Sequence, residues 1–144
     1  MAAAPKRTKP CTPVCEVNNP DKHPFQVSVN FSLDAGMTIQ NGIVIVPAGK
    51  RLVIEYISSQ AFLPGGQKAL FSFFCRAQDD GTWHHLPATA SGRFGSQDCF
   101  ESGHLVRLYA DAGTGVALRT QRDSGVGTGT STMSLSGHFV SVWL

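Results

Sequence analysis

From Phe25 the chain alternates apolar and polar residues with a period of two. Phe25, Val27, Val29, Phe31 and Leu33 are separated by Gln26, Ser28, Asn30 and Ser32. Successive side chains of a strand point to opposite faces, so this spacing predicts a half-buried β-strand over residues 25–33. Further strands follow at short intervals. Ile43 to Val46 stops at Pro47-Ala48-Gly49, where proline and glycine fit the second and fourth positions of a type I turn. Arg51 to Leu63 is rich in β-branched and aromatic residues and ends at Pro64-Gly65, a type II turn signal. Ala69 to Ala77 carries Leu70, Phe71, Phe73 and Phe74 on both faces, as expected of a buried central strand. A turn at Asp79-Asp80-Gly81 leads into a short strand, Thr82 to Leu86, and Ser91 to Gly103 reads as irregular. His104 to Ala110, Val116 to Gln121 and Met133 to Trp143 complete the set.

Eight strands at this spacing, with turn signals between them and no amphipathic helix, predict an all-β fold. The expected architecture is an eight-stranded antiparallel jelly-roll β-sandwich over residues 25–144. Residues 1–24 read as an extended N-terminal arm. Five of the eight prolines precede residue 25 and all fifteen glycines follow residue 35. Proline removes a backbone donor and fixes φ, so such a segment forms neither a helix nor a central strand. It is expected to order only against a neighbouring surface.

Charge follows the same boundary. Residues 1–25 hold four basic groups against two acidic ones, whereas residues 26–144 hold eight of each. The net charge of +2 therefore belongs to the arm, and the domain is neutral. Only 15% of the chain is charged, against about 25% in ordinary soluble domains. Lys6, Arg7 and Lys9 are too few to bind nucleic acid from a monomer, because useful counterion release needs roughly six phosphates. No apolar run approaches the ~20 residues of a membrane span. Residues 1–5 are not followed by a secretory apolar core, so a cytoplasmic location before assembly, or a particle-associated one, is expected.

Sequence signs of catalysis are sparse. The chain has no Gly-x-Ser-x-Gly elbow, His-Glu-x-x-His pair or Walker loop. Gly125-x-Gly127-x-Gly129 lies between two strands, not ahead of a helix, and reads as a flexible hairpin loop. Glu55 is the one carboxylate well inside a strand, and Arg107 is its candidate partner. His84 and His85 are adjacent on a strand and must point to opposite faces. His104 and His138 lie on other strands. Cys11 and Cys15 lie in the arm without the further ligands of a zinc site. Cys75 reads as a buried apolar thiol, and disulfides for Cys11–Cys15 and Cys75–Cys99 are left open. No enzyme activity, cofactor or metal is expected.

The last third contains Ser102-Gly103-His104-Leu105-Val106-Arg107-Leu108, then Ala112-Gly113-Thr114-Gly115-Val116-Ala117-Leu118, then Ser134-Leu135-Ser136-Gly137-His138-Phe139-Val140. Over about 40 residues this order resembles the end of the tumour-necrosis-factor and complement-globular-head jelly rolls. Ser136-Gly137 in the closing strand is its tightest element. The resemblance implies a jelly roll that assembles as a compact trimer around apolar strands, and it implies no catalytic residue.

Two functions are therefore expected. The first is a non-enzymatic structural protein, an oligomeric subunit of a virion, phage particle or surface structure. It partners with itself and with other structural proteins, and its arm residues Lys6, Arg7, Lys9, Pro10 and Pro13 lock onto a neighbour. The second is a binding module for glycan or another cell-surface ligand, with Trp83, His85 and Tyr109 as ligand-binding residues and Tyr56 and Trp143 as further aromatic candidates.

Overall fold

The computed structural model describes residues 22–142. The arm residues Lys6, Arg7, Lys9, Pro10 and Pro13, the cysteines at 11 and 15, and Trp143 lie outside the described residues. The described residues form nine strands and no helix. They are β1 (Lys22–Leu33), β2 (Ile39–Ile45), β3 (Lys50–Pro64), β4 (Ala69–Ala77), β5 (Asp80–Leu86), β6 (Thr89–Phe94), β7 (Gln97–Ala110), β8 (Gly115–Arg122) and β9 (Gly129–Ser141). A five-stranded antiparallel sheet runs β1-β9-β3-β7-β6, and a four-stranded one runs β2-β8-β4-β5. The two enclose one apolar core in a β-sandwich-like arrangement.

The expected count of eight strands is corrected to nine. Residues 91–103, read as irregular, instead form most of β6 and the first half of β7, joined by a turn at Gly95-Ser96. Every residue of β6 is exposed, so its sequence carries no burial alternation to read. The proline turns shift by one residue. Lys50 N–H donates to the Pro47 carbonyl and Gln67 N–H to that of Pro64, each at 3.3 Å. Gly49 and Gly66 then take the third turn position at φ +73° and +86°, the requirement of a type II turn. The β4–β5 turn is Gln78-Asp79, not Asp79-Asp80-Gly81. Both of its residues have positive φ (+53° and +63°), the signature of a type I′ hairpin built here without glycine. Lys22 to Pro24 extend β1 ahead of the expected boundary. Pro24 is tolerated there because β1 is an edge strand.

The core is built by the alternation that the sequence announces. Phe31 and Leu33 of β1, Leu52, Ile54, Ile57 and Leu63 of β3, and Phe71 and Phe73 of β4 point inward. Val116, Leu118, Met133 and Leu135 meet them from β8 and β9. Burying each such side chain contributes about 1.5–3 kcal/mol. Among the buried polar contacts that join the sheets, the Thr120 and Ser131 hydroxyls are 2.7 Å apart.

Two places hold the chain path. At one end of the core, Arg122 is only 4% exposed and has no carboxylate partner among the described residues. Its Nε donates to the Met37 carbonyl at 2.7 Å. Nη1 reaches Gln67 Oε1 and the Val126 carbonyl, and Nη2 reaches the carbonyls of Leu33, Asp34 and Gly127. One guanidinium thus ties the β1–β2, β3–β4 and β8–β9 loops. The glycine-rich 125–129 segment, expected to be flexible, is pinned by this shell and by Gly36 N–H donating to the Gly125 carbonyl at 2.7 Å. At the other place, the register of β3 shifts between Ile54 and Tyr56 against both of its neighbours. There Gly137 faces the Val53 carbonyl so closely that no Cβ fits, which gives the Ser136-Gly137 element a steric reason.

Three substitutions, one of them a control, test these constraints by urea denaturation. Arg122→Ala is expected to cost at least about 3 kcal/mol, because six acceptors from three loops lose a donor and a buried side chain is removed. Arg107→Ala, at an exposed position of β7, should stay within about 0.5 kcal/mol. Gly137→Ala should cost at least about 2 kcal/mol, since the β3 backbone must move to admit the methyl group.

Candidate functional site

The two outer faces of the sandwich differ in chemistry. Across the five-stranded sheet, register aligns Ser28, Ser134, Ser58 and Gly103 in one row. The next row is Asn30, Thr132, Gln60, Glu101 and Thr89. A third begins Gln26, Ser136 and Tyr56 and ends on Leu105. The side chains are cross-linked within rows. The hydroxyls of Ser28 and Ser134 are 2.6 Å apart, and Thr132 Oγ1 donates to Asn30 Oδ1 at 2.8 Å. Gln60 Nε2 donates to Glu101 Oε1 at 2.8 Å, while Ser91 Oγ donates to Glu101 Oε2 at 3.0 Å. Over these rows runs a groove of about 710 Å³, and a hollow of about 320 Å³ adjoins it, sharing Tyr56, Ser58 and Ser134.

The groove has an aromatic element positioned by a glycine. Tyr56 reaches diagonally across β7, so that its hydroxyl would lie 2.6 Å from a Cβ at Gly103. Only glycine lets the phenol settle there. Beneath the groove, at positions that alternate with the outward Ser58, Gln60, Glu101 and Gly103, Ser59 Oγ, Ser102 Oγ and His104 Nε2 are buried on the inner side of the sheet without hydrogen-bond partners among the described residues. Ser59 and Ser102 are register partners, and His104 follows two residues on. Each orphaned group costs about 1–3 kcal/mol.

The outer face of the four-stranded sheet carries an apolar row beside a polar row of Asn41, Arg119, Ser72 and His85. Register aligns Ile43, Ala117, Phe74 and Trp83 in one row. Ile43, Ile45 and Leu70 are 66%, 64% and 65% exposed. The Phe74 ring lies over Gly81 and packs against Trp83 with centroids 5.5 Å apart. The Arg119 guanidinium sits 4.0 Å above the indole of Trp83 and donates through Nε to Asn41 Oδ1 at 2.7 Å.

The structure brings two of the three expected ligand residues together and separates the third. Trp83 and His85 share the outer face of β5, with Trp83 half-buried and His85 exposed. Tyr109 lies on β7 in the other sheet, lining a hollow of about 350 Å³ with Arg51, Ala77 and Gln78. His84 faces inward and stacks on Phe73 at 5.0 Å, so the two adjacent histidines do diverge. Glu55 pairs with His138 Nδ1, not with Arg107. Cys75 is buried as expected, and Cys75 and Cys99 are both free thiols. Burial raises both thiols above the usual cysteine range, with Glu101 adding to the effect at Cys99, so neither is primed as a nucleophile. Among the described residues, no three His, Cys, Asp or Glu side chains converge on a metal position, and no helix is long and apolar enough to cross a membrane.

Sequence reasoning missed the Tyr56–Gly103–Glu101 groove because its parts are 45 or more residues apart on β3 and β7, and only register unites them. The available signal was the run of Ser, Thr, Asn and Gln at outward positions of four strands. No family model matches the chain, and no curated protein matches its sequence.

Two aspartates beside these surfaces sense acid. Asp111 accepts the Gln78 N–H at 2.6 Å and Arg51 Nε at 2.9 Å, and these hold its carboxyl below the ordinary aspartate range, the backbone bond most of all. Asp98 is lowered likewise, first by the Gly66 N–H and then by Arg93. A depressed folded-state value contributes stability that is complete above the unfolded value of ~3.9 and is lost as pH falls through the folded one. Denaturation midpoints should therefore fall below about pH 4. Asp111→Asn should reduce that acid dependence, and an unchanged pH profile would show that the Gln78 bond does not form.

Proposed function

We propose that this chain is a non-enzymatic assembly subunit, a jelly roll that associates with further copies of itself through the outer face of its four-stranded sheet. The fold part of this reading rests on strand order. With β6 set aside as an addition to β7, the sheets run first-eighth-third-sixth and second-seventh-fourth-fifth, the order of two Greek keys folded together.

The observation that carries the assembly reading is the contrast between the two outer faces. The five-stranded face is lined mainly with hydroxyls and amides, with Tyr56, Phe94, Leu105 and Tyr109 exposed singly on its strands, while the four-stranded face exposes Ile43 and Ile45 beside the Phe74–Trp83 pair. Contiguous exposed apolar surface of this kind marks an interaction site. A second copy fits the charge pattern, because residues 26–144 carry balanced charge and two copies do not repel at long range. The assembly would belong to a virion, phage particle or surface structure, with the basic proline-rich segment as a second attachment to the neighbouring subunit. A trimer is the stoichiometry that the resemblance of the closing strands implies. Trp83 supports an interface more than a sugar platform, since Arg119 already covers one face of its ring.

Light scattering coupled to size exclusion tests this reading. The full chain should give a multiple of 15.4 kDa. Burying the exposed part of each isoleucine contributes about 1–2 kcal/mol, so Ile43→Lys and Ile45→Lys should each weaken association about tenfold or more. Removal of residues 1–21 should weaken it further while leaving β1 intact. A monomer at all concentrations, or an oligomer indifferent to both lysines, would sink the proposal.

A further inference from the structure

We infer that the groove on the outer face of the five-stranded sheet is a binding site for a neutral saccharide, with Glu101 and Tyr56 as its principal contacts. It lies on the opposite side of the sandwich from the proposed assembly face and does not depend on that reading.

Three observations select the ligand class. The first is charge. Glu101 is the only carboxylate among the described residues lining the groove and the adjoining hollow, and no Lys or Arg joins it. An anion would meet an uncompensated negative charge there, which excludes phosphate, sulfate and acidic sugars as preferred ligands. The second is hydrogen-bonding capacity. Gln60 and Ser91 each engage one oxygen of Glu101, fixing the carboxylate in orientation. Each oxygen has a second lone pair, so the group can still accept from two neighbouring hydroxyls of one ligand. Ser58, Thr132 and Ser134 continue the same polar floor. A lining of this kind gains little from an apolar ligand and much from one that exchanges many hydrogen bonds. The third is Tyr56, exposed and set across Gly103, which offers a ring beside that floor. Sugar rings combine a polar rim with apolar C–H faces, and such a ligand uses both elements at once.

The groove volume of about 710 Å³ falls within the ~300–1,000 Å³ of small-ligand sites.

The test uses the full chain, fluorescently labelled, on a printed array of neutral, sialylated and sulfated glycans. Titration calorimetry with the tightest-binding neutral glycan follows. Binding confined to neutral glycans is expected. Glu101→Gln, which keeps the side-chain shape and removes the charge, should weaken it at least tenfold, and Tyr56→Ala at least as much. Lys68→Ala, an exposed position in the β3–β4 loop, should leave it unchanged. Near-UV circular dichroism checks that each variant is folded; if Tyr56→Ala is not, Glu101→Gln decides alone. Absence of any neutral-glycan signal, a preference for sulfated or sialylated glycans, binding that survives Glu101→Gln, or binding lost in Lys68→Ala would each overturn the inference. None of these outcomes alters the light-scattering result, so the two readings stand or fall separately.

Discussion

The guanidinium of Arg122 is the interaction on which one whole end of this sandwich depends. A charged group in an apolar interior is costly unless every donor finds an acceptor. Here the acceptors are backbone carbonyls at the β1–β2 and β8–β9 connections and the Gln67 side chain of the β3–β4 loop, not a carboxylate. The arrangement works in both directions. The carbonyls of Leu33, Asp34, Met37, Val126 and Gly127 lie at strand ends and in loops, where the ladders give out. Arg122 supplies a donor to each, joined by Met37 N–H at Asp34 and Gln67 Nε2 at Val126, and the loops in turn make burial of the charge tolerable. Around the same point, Asp123 Oδ1 accepts the Lys68 N–H at 2.8 Å and Gln67 Nε2 donates to the Val126 carbonyl at 2.7 Å. Loops held this way fix where β1, β3 and β8 end, and so fix the registers that extend from them.

Register is what turns an unremarkable composition into two distinct surfaces. In a half-buried strand the inward positions are set by the core, and the outward ones are free to vary. Here they vary by sheet. β1, β3 and β9 present Ser, Thr, Asn and Gln outward, and β2, β4 and β5 present Ile, Leu, Phe and Trp. The shift at Ile54–Tyr56 contributes to the first surface, since it turns Tyr56 onto the outer face beside Gly103. The same irregularity forces glycine at 137. One defect in the ladder therefore shapes the groove and constrains the closing strand.

Much of the framework was legible in the sequence. Ala69–Ala77 has its expected limits, and the alternation of β1 places Phe31 and Leu33 in the core as period two requires. The divergence of His84 and His85 and the burial of Cys75 followed from strand geometry alone. The failures have physical causes. β6 is exposed at every residue, so nothing in its hydrophobicity distinguishes it from a loop. Gln78-Asp79 adopts a turn that ordinarily calls for glycine or asparagine, and Asp111 accepts the Gln78 N–H from 33 residues away. Arg122 falls just past the expected strand Val116 to Gln121, and no local signal shows that three loops converge on it.

The sequence by itself determined that this is an all-β chain with a proline-rich basic segment ahead of a charge-balanced domain. Period-two alternation, turn residues and charge counts are local properties, and each is decided within a few residues. Only the tertiary structure decided which polar residues share a face, that Trp83 and Tyr109 lie on different sheets, and that Tyr56, Gly103 and Glu101 meet. Strand pairing joins residues that are far apart in sequence, and a shift of one position moves every side chain to the other face. Composition along the chain cannot specify that pairing. The loops closed by Arg122 and the ladder irregularity at β3 do.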